Sequence, residues 1–173
     1  MNEGIIRRMF IKVILSLALS LALSLAPPNP SRREMPHPTD RYVERLLHVE
    51  SRDRHYLADG SVITSRVGAV GRWQVMPDTL EFFNRNTGMD YSLADLYRAD
   101  VNATVGRWFL RYCYKVSCGN LVLTFNRYFQ GQNSSRHRIR YVYVCQIVPK
   151  EYERFMRGKR IVSTDENYIV WDR

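Results

Sequence analysis

The chain has 173 residues, 45% of them hydrophobic and 25% charged, with Tyr 11, Phe 7 and Trp 3. This composition reads as globular rather than disordered, and the length suits one domain with a real core rather than two. The net charge of +9 suits a polyanionic partner, whether nucleic acid, anionic lipid or an acidic polymer, and does not choose among them.

Residues 1–26 read as an export signal. Arg7, Arg8 and Lys12 precede an apolar run, Val13 to Ala26, broken only by serines. Against Glu3 these cations put +2 in the segment and leave +7 for the rest. The run is short for a membrane span. Ala22-Leu23-Ser24 offers small residues for cleavage, whereas a cut after Ala26 would put Pro27 beside the scissile bond. The segment is therefore a cleaved signal or a retained signal anchor, and in either case the folded part leaves the cytoplasm. Pro27, Pro28, Pro30, Pro36 and Pro38 mark an extended linker over 27–38. The domain is expected over 39–157, with a tail over 158–173.

Thr39 or Asp40 caps a first helix whose apolar positions are Val43, Leu46 and Leu47. Glu50 follows at i+7 from Val43 and i+4 from Leu46, on the same face. A carboxyl pushed toward a core is desolvated, its pKa rises, and it becomes a proton donor near neutral pH. Residues 51–71 read as loop, with room for a short hairpin at Asp59-Gly60. Pro77 opens a helix to about Asn86, stopped by Asn86-Thr87-Gly88. Asp100 caps a helix carrying Val101, Val105, Trp108 and Phe109, which ends before Ser117. Two more helices are expected over Asn120 to Phe129 and Ser135 to Val148, and a short one from Pro149 to Met156. Tyr168-Ile169-Val170-Trp171 reads as a strand or a surface clamp. The expected fold class is mainly α, a single domain.

A set of spaced motifs follows the same order. Glu50-Ser51 is followed by Ser65 and then by Gly68-Ala69-Val70-Gly71-Arg72-Trp73-Gln74-Val75-Met76-Pro77-Asp78-Thr79. Asn102, Gly106 and Leu110 are spaced by four, Thr124-Phe125-Asn126 comes next, and Arg140 precedes Tyr141-Val142. Together these blocks resemble the soluble, goose-lysozyme-like lytic transglycosylases over roughly residues 40–148. The resemblance implies a lysozyme-like fold, with room for a short β-hairpin after the first helix. It implies Glu50 as the catalytic acid and Ser65, Gln74, Met76, Phe125, Asn126 and Tyr141 as substrate-binding residues, with Asn126 facing the N-acetyl group and Tyr141 near Glu50. Two departures stand out. Arg72-Trp73 follow the second glycine, as in phage-like and secretion-associated variants, and Arg127-Tyr128-Phe129 replace the usual loop after the asparagine. One of Tyr128 and Phe129 is expected in the core.

The implied substrate is the peptidoglycan glycan strand, cleaved between N-acetylmuramic acid and N-acetylglucosamine with 1,6-anhydro ring closure and no cofactor. Asp53 and Asp59 keep open a lysozyme-type hydrolase with a second carboxylate. A non-catalytic wall-binding subunit is the other alternative. Arg136, His137, Arg138 and Arg140 would form a basic helix face, but an export signal argues against nucleic acid, and membrane attachment is expected only through the amino-terminal segment. Small size and basic charge lean toward a secretion, conjugation or phage apparatus as partner, in the periplasm or cell envelope. Cys113 and Cys118 are close enough in sequence to bridge, or Cys145 reaches one of them. His37, His48, His55 and His137 are too scattered for a zinc site.

Overall fold

The computed structural model describes residues 37–131, 138–165 and 167–171. The signal segment, most of the Pro-rich linker, Arg136 and His137 lie outside the described residues. The elements in order are α1 (Asp40–Ser51), α2 (Pro77–Thr87), a 3-10 turn (Leu93–Tyr97), α3 (Ala99–Val116), α4 (Leu121–Gln130), β1 (Arg138–Arg140), α5 (Tyr141–Ile147), α6 (Pro149–Met156), β2 (Ile161–Thr164) and β3 (Tyr168–Trp171). The mainly α expectation holds. Among the described residues, no helix is long and apolar enough to cross a membrane.

Helix α3 is the central element. It buries Val101, Val105, Phe109, Leu110 and Cys113, and packs against α4 and α2. Helix α1 buries Leu46 and Leu47 against α5. The caps follow local chemistry. Asn120 Oδ1 accepts the Leu123 N–H at the start of α4. Pro77 and Pro149 open α2 and α6, where a missing N–H costs nothing. Thr39 takes the N-cap position of α1 without a side-chain hydrogen bond. Asp100 is not the cap of α3: that position is Arg98, and Asp100 lies in the first turn, bonded to Arg98 Nη2 at 2.8 Å.

The helix expected from Ser135 is shorter. Residues 138–140 form β1, which pairs antiparallel with β3 in the register Arg138 to Val170 and Arg140 to Tyr168. Ile139, fully buried between two arginines, shows the two-residue period of a strand rather than a helical one. Arg138 and Arg140 therefore lie on a strand, not on a basic helix face. The tail supplies β2 and β3, in sheet order β1-β3-β2, and Trp171 is buried. Near Asp59-Gly60 the chain makes a tight turn closed by one isolated bridge, Tyr56 to Val62, instead of regular strands. The cysteines are free thiols. Cys113 is buried on α3, Cys118 is exposed in the turn beyond it and Cys145 is half-buried, and neither of the pairings left open by the sequence is present.

Candidate active site

Glu50 sits in the last turn of α1. The helix ends one residue later, at Ser51. Arg52 takes a left-handed conformation (φ 53°), and the Arg52 and Asp53 N–H groups bond back to the His48 and Leu47 carbonyls. This termination turns the chain away and leaves the Glu50 carboxyl facing a groove of about 510 Å³. Ser65, Ala69, Gln74, Met76, Phe129 and Gln130 share the groove with it. Burial pushes the Glu50 carboxyl from its ordinary 4.5 up to about 7, and a hydrogen bond from Tyr143 pulls the other way. Desolvation wins, so the group is poised to give and take a proton near neutral pH.

The wall opposite the acid is the loop from Ser65 to Met76, and it is pinned from several sides. Ser65 Oγ accepts the Ala69 N–H at 2.9 Å. Ser51 Oγ, one residue beyond the acid, bonds the Arg72 carbonyl at 2.9 Å. Asn102, fully buried on α3, accepts the Trp73 N–H at 3.0 Å and donates to the Val70 carbonyl at 2.8 Å. Tyr128 donates to the Trp73 carbonyl at 2.8 Å. His55 is a buried strut: it accepts the Arg72 N–H on Nδ1 and reaches the Tyr97 carbonyl with Nε2. Two glycines make this fit possible. A Cβ on Gly106 would stand 2.5 Å from the Trp73 side chain. A Cβ on Gly71, at φ +72°, would meet the His55 ring at 2.5 Å.

Gln74 lies within this loop at φ +45°, a conformation L side chains rarely adopt. Its Nε2 donates to the Gly71 carbonyl at 2.8 Å, which helps hold it there. Met76 precedes α2 and walls the same groove. Glu50, Ser65, Gln74 and Met76 are thus brought together.

Phe125, Asn126 and Tyr141 are placed elsewhere. Phe125 is wholly buried in the core. Asn126, 1% exposed, donates to the Arg138 carbonyl at 3.0 Å and accepts from the Arg140 N–H at 3.1 Å and from Gln130 Nε2 at 3.0 Å. It fastens β1 to α4 and holds the side chain of the groove-lining Gln130. Tyr141 opens α5 and is not among the residues of the groove; its N–H donates to the Asn167 carbonyl at 3.1 Å. The tyrosine at the acid is Tyr143, two positions on. Two steps along a helix rotate a side chain by about 200°, so only one of the pair can face Glu50. The run Tyr141-Val142-Tyr143-Val144 contains the tyrosine-valine pair twice, and burial of Tyr143 and Val144 identifies the inward copy. Phe129 is 36% exposed beside the groove, while Tyr128 is in the core.

Neither Asp53 nor Asp59 lines the groove. Asp53 pairs with Arg72, whose Nε lies 2.8 Å away. Asp59 accepts from the Ser61 N–H and hydroxyl, which hold its carboxyl below the usual range. Asp78, exposed in the first turn of α2, is the other acidic side chain among the described groove residues. Among the described residues, no group of three His, Cys, Asp or Glu could hold a metal ion.

The family model for the transglycosylase SLT domain matches residues 42–148. The 70 kDa soluble lytic transglycosylase of Escherichia coli is similar in structure at 23% identity and TM-score 0.48, over 73% of this chain and 20% of that one. An inactive mutant of the lytic transglycosylase Slt from Pseudomonas aeruginosa is similar at 25% identity and TM-score 0.43, over 66% of this chain and 19% of that one. The chain spans about a fifth of the length of these two proteins. Comparison with curated proteins returns no match. The matched segment runs from the acid-bearing helix α1 through α5, takes in every groove residue, and covers well over half of the sequence, so the chain belongs to the transglycosylase SLT domain family.

Proposed function

We propose that this chain is a peptidoglycan lytic transglycosylase with Glu50 as acid and then base. The observation that carries the reading is the buried Glu50 carboxyl, raised to about 7, facing a groove at the end of α1. In the first step Glu50 gives its proton to the oxygen bridging N-acetylmuramic acid and N-acetylglucosamine, and the bond from C1 to that oxygen breaks. The substrate's 2-acetamido oxygen stabilises the developing cation at C1. Glu50, now a carboxylate, takes the proton from the muramyl 6-hydroxyl, and the 6-oxygen bonds to C1. The 1,6-anhydro ring closes, Glu50 is protonated again, and no water is consumed. Ser65, Gln74 and Met76 hold the sugars against the acid, and Phe129 offers an exposed ring face for one of them. Tyr143 is a positioning residue that orients the carboxyl.

Asp78 favours a second reading, a lysozyme-type hydrolase with that carboxylate placing water. Product analysis decides between the two. Purified protein is incubated with peptidoglycan and the fragments are weighed by mass spectrometry. Anhydromuramic ends, lighter by one water than hydrolytic ends, are expected. Reducing ends alone would establish hydrolysis, and intact glycan would leave a wall-binding subunit.

On this reading the chain works outside the inner membrane, free or tethered by its amino-terminal segment. The small basic domain fits local opening of the wall for a secretion, conjugation or phage apparatus. Cell fractionation tests the location: full-length chain confined to the cytosol would contradict it.

A further inference from the structure

A run of rings leads from the acid to the small sheet. The Tyr143 hydroxyl bonds Glu50, and the Tyr143 ring lies 4.7 Å from that of Phe129. The Arg140 guanidinium continues the run, with its Cζ 4.4 Å from the Phe129 centroid and 5.9 Å from that of Tyr168. Phe129 is a groove residue, so Arg140 is at the rim, two ring contacts from the acid. Its backbone is fixed on both sides: the Arg140 N–H donates to Asn126 at 3.1 Å, and β1 pairs with β3 opposite Tyr168. Arg138, its neighbour on β1, lies over the Tyr168 ring and 3.8 Å from Asp165. Among the described residues no carboxylate is paired with Arg140. A guanidinium resting on an aromatic face is weakly hydrated, held in place, and keeps its forked donors for a planar anion.

We infer that Arg140 is a specificity-determining cation of the groove, binding a carboxylate carried on the 3-substituent of the muramyl ring. The inference rests on the transglycosylase reading, because it takes the sugar beside Phe129 to be muramyl. Muramic acid differs from N-acetylglucosamine by its 3-linked lactyl group. That group supplies a free carboxylate when the strand is stripped of peptide. When a stem is attached, the lactyl carboxyl is an amide and the stem's own carboxylates take its place. A chitin-type oligomer has neither. Arg140 would thus let the groove tell wall glycan from chitin.

The test measures binding in a Glu50→Gln background, so that ligands are not consumed. Titration calorimetry compares a stem-bearing muramyl tetrasaccharide, its peptide-stripped counterpart and N-acetylglucosamine tetramer. Arg140→Gln is expected to weaken a muramyl ligand roughly tenfold, as loss of a charge-assisted hydrogen bond does, and to leave the tetramer unchanged. Arg140→Lys should retain part of the preference, which a purely structural role would not predict, and Arg138→Gln should leave it intact. Loss on the stripped ligand assigns the lactyl carboxylate; loss on the stem-bearing ligand alone assigns the peptide. Equal weakening of all three ligands, no weakening at all, or no muramyl binding in the Glu50→Gln protein would overturn the inference. Product analysis of the unmutated protein separates the two ideas. Anhydromuramic products together with an unaffected Arg140→Gln would remove only the inference, and absence of cleavage would remove the reading beneath it.

Discussion

Tyr143 on α5 donates its phenolic hydrogen to Oε1 of Glu50 at the end of α1, across 93 residues of sequence. Two opposed effects meet at this contact. Burial disfavours the charged carboxylate, and the hydrogen bond favours it. Tyr143 is itself buried, and burial together with the neighbouring Glu50 holds its hydroxyl well above the ordinary 10, so it stays a donor throughout the working range. The balance leaves Glu50 at about 7, where one side chain can both give and take a proton.

Tyr143→Phe should therefore move the pH–rate profile in a definite direction. The hydrogen bond lowers the Glu50 pKa, so its loss lets the carboxyl climb above about 7. The alkaline limb should shift to higher pH. The rate on the plateau below it should fall roughly tenfold as the carboxyl loses its orientation. Glycan cleavage measured from pH 4 to pH 9 checks both. A limb that moves to lower pH would mean that Tyr143 does not act on the charged form.

Glu50 should also weaken the fold. Its pKa is 4.5 when exposed and about 7 in the folded chain, so between these values the folded state binds more protons than the unfolded one. Stability contributed by the protonated carboxyl is fully present below pH 4.5 and is lost as pH rises through about 7. Glu50→Gln has no such titration. The melting temperature of the variant relative to the unmutated protein should rise between pH 4 and pH 8, corresponding to about 3 kcal/mol at most. Cleavage should fall by several orders of magnitude in the same variant. Parallel melting curves across pH would show that Glu50 is not desolvated.

The sequence pointed to Glu50, which the structure places in the groove, because it continues an apolar helical face and is followed by the Gly68 to Thr79 block. It also exposed α2 and α4, whose turn signals are local, Pro77 and Gly88 for the one and Asn120 for the other, and α3 through its apolar positions Val101, Val105 and Phe109. What it hid depends on distant partners. β1 exists because Tyr168–Trp171 returns to pair with it, and three residues carry too little pattern to announce a strand. Asn126 is a polar residue on an apolar helix whose partners, the Arg138 carbonyl and the Arg140 N–H, become visible only once β1 forms. The doubled tyrosine-valine pair is ambiguous in one dimension and resolved only by which tyrosine the helix turns inward. His55 and Asn102 act on the loop from Val70 to Trp73, from positions up to 32 residues away in sequence.

The glycine at 106 should be as restrictive as the acid is reactive. Alanine is the better helix former by roughly 1 kcal/mol, so in an open helix the substitution would stabilise. Here its Cβ would stand 2.5 Å from Trp73. Trp73 cannot retreat easily, because Asn102 and Tyr128 hold its backbone from two sides. Overpacking costs about 1–3 kcal/mol and outweighs the propensity gain. Gly106→Ala should lower the melting temperature by several degrees and reduce cleavage through displacement of Gln74. In the Trp73→Leu background the same change should cost less. Equal costs in both backgrounds would show that Trp73 is not the obstacle.

Asp53, Asp59 and Asp78 separate one-carboxylate from two-carboxylate chemistry. Asp53 is occupied by Arg72, and Asp59 by the Ser61 N–H and hydroxyl, both outside the groove. Their Asn variants should cleave within a few-fold of the unmutated protein, since a buried acid that hands its proton to the leaving oxygen and recovers it from the 6-hydroxyl needs no partner. Asp78 lines the groove and is the stricter case. A water-activating base would be indispensable, and its loss would cost roughly a hundredfold or more. Asp78→Asn is expected to retain most of the activity and to yield anhydromuramic ends throughout. An inactive Asp78→Asn alongside reducing-end products from the unmutated protein would place the second carboxylate there and make the enzyme a hydrolase. An inactive Asp78→Asn with anhydromuramic products would instead assign Asp78 to sugar binding at the first turn of α2. The pairing of mutant rate with product mass therefore decides the chemistry where rate alone would not.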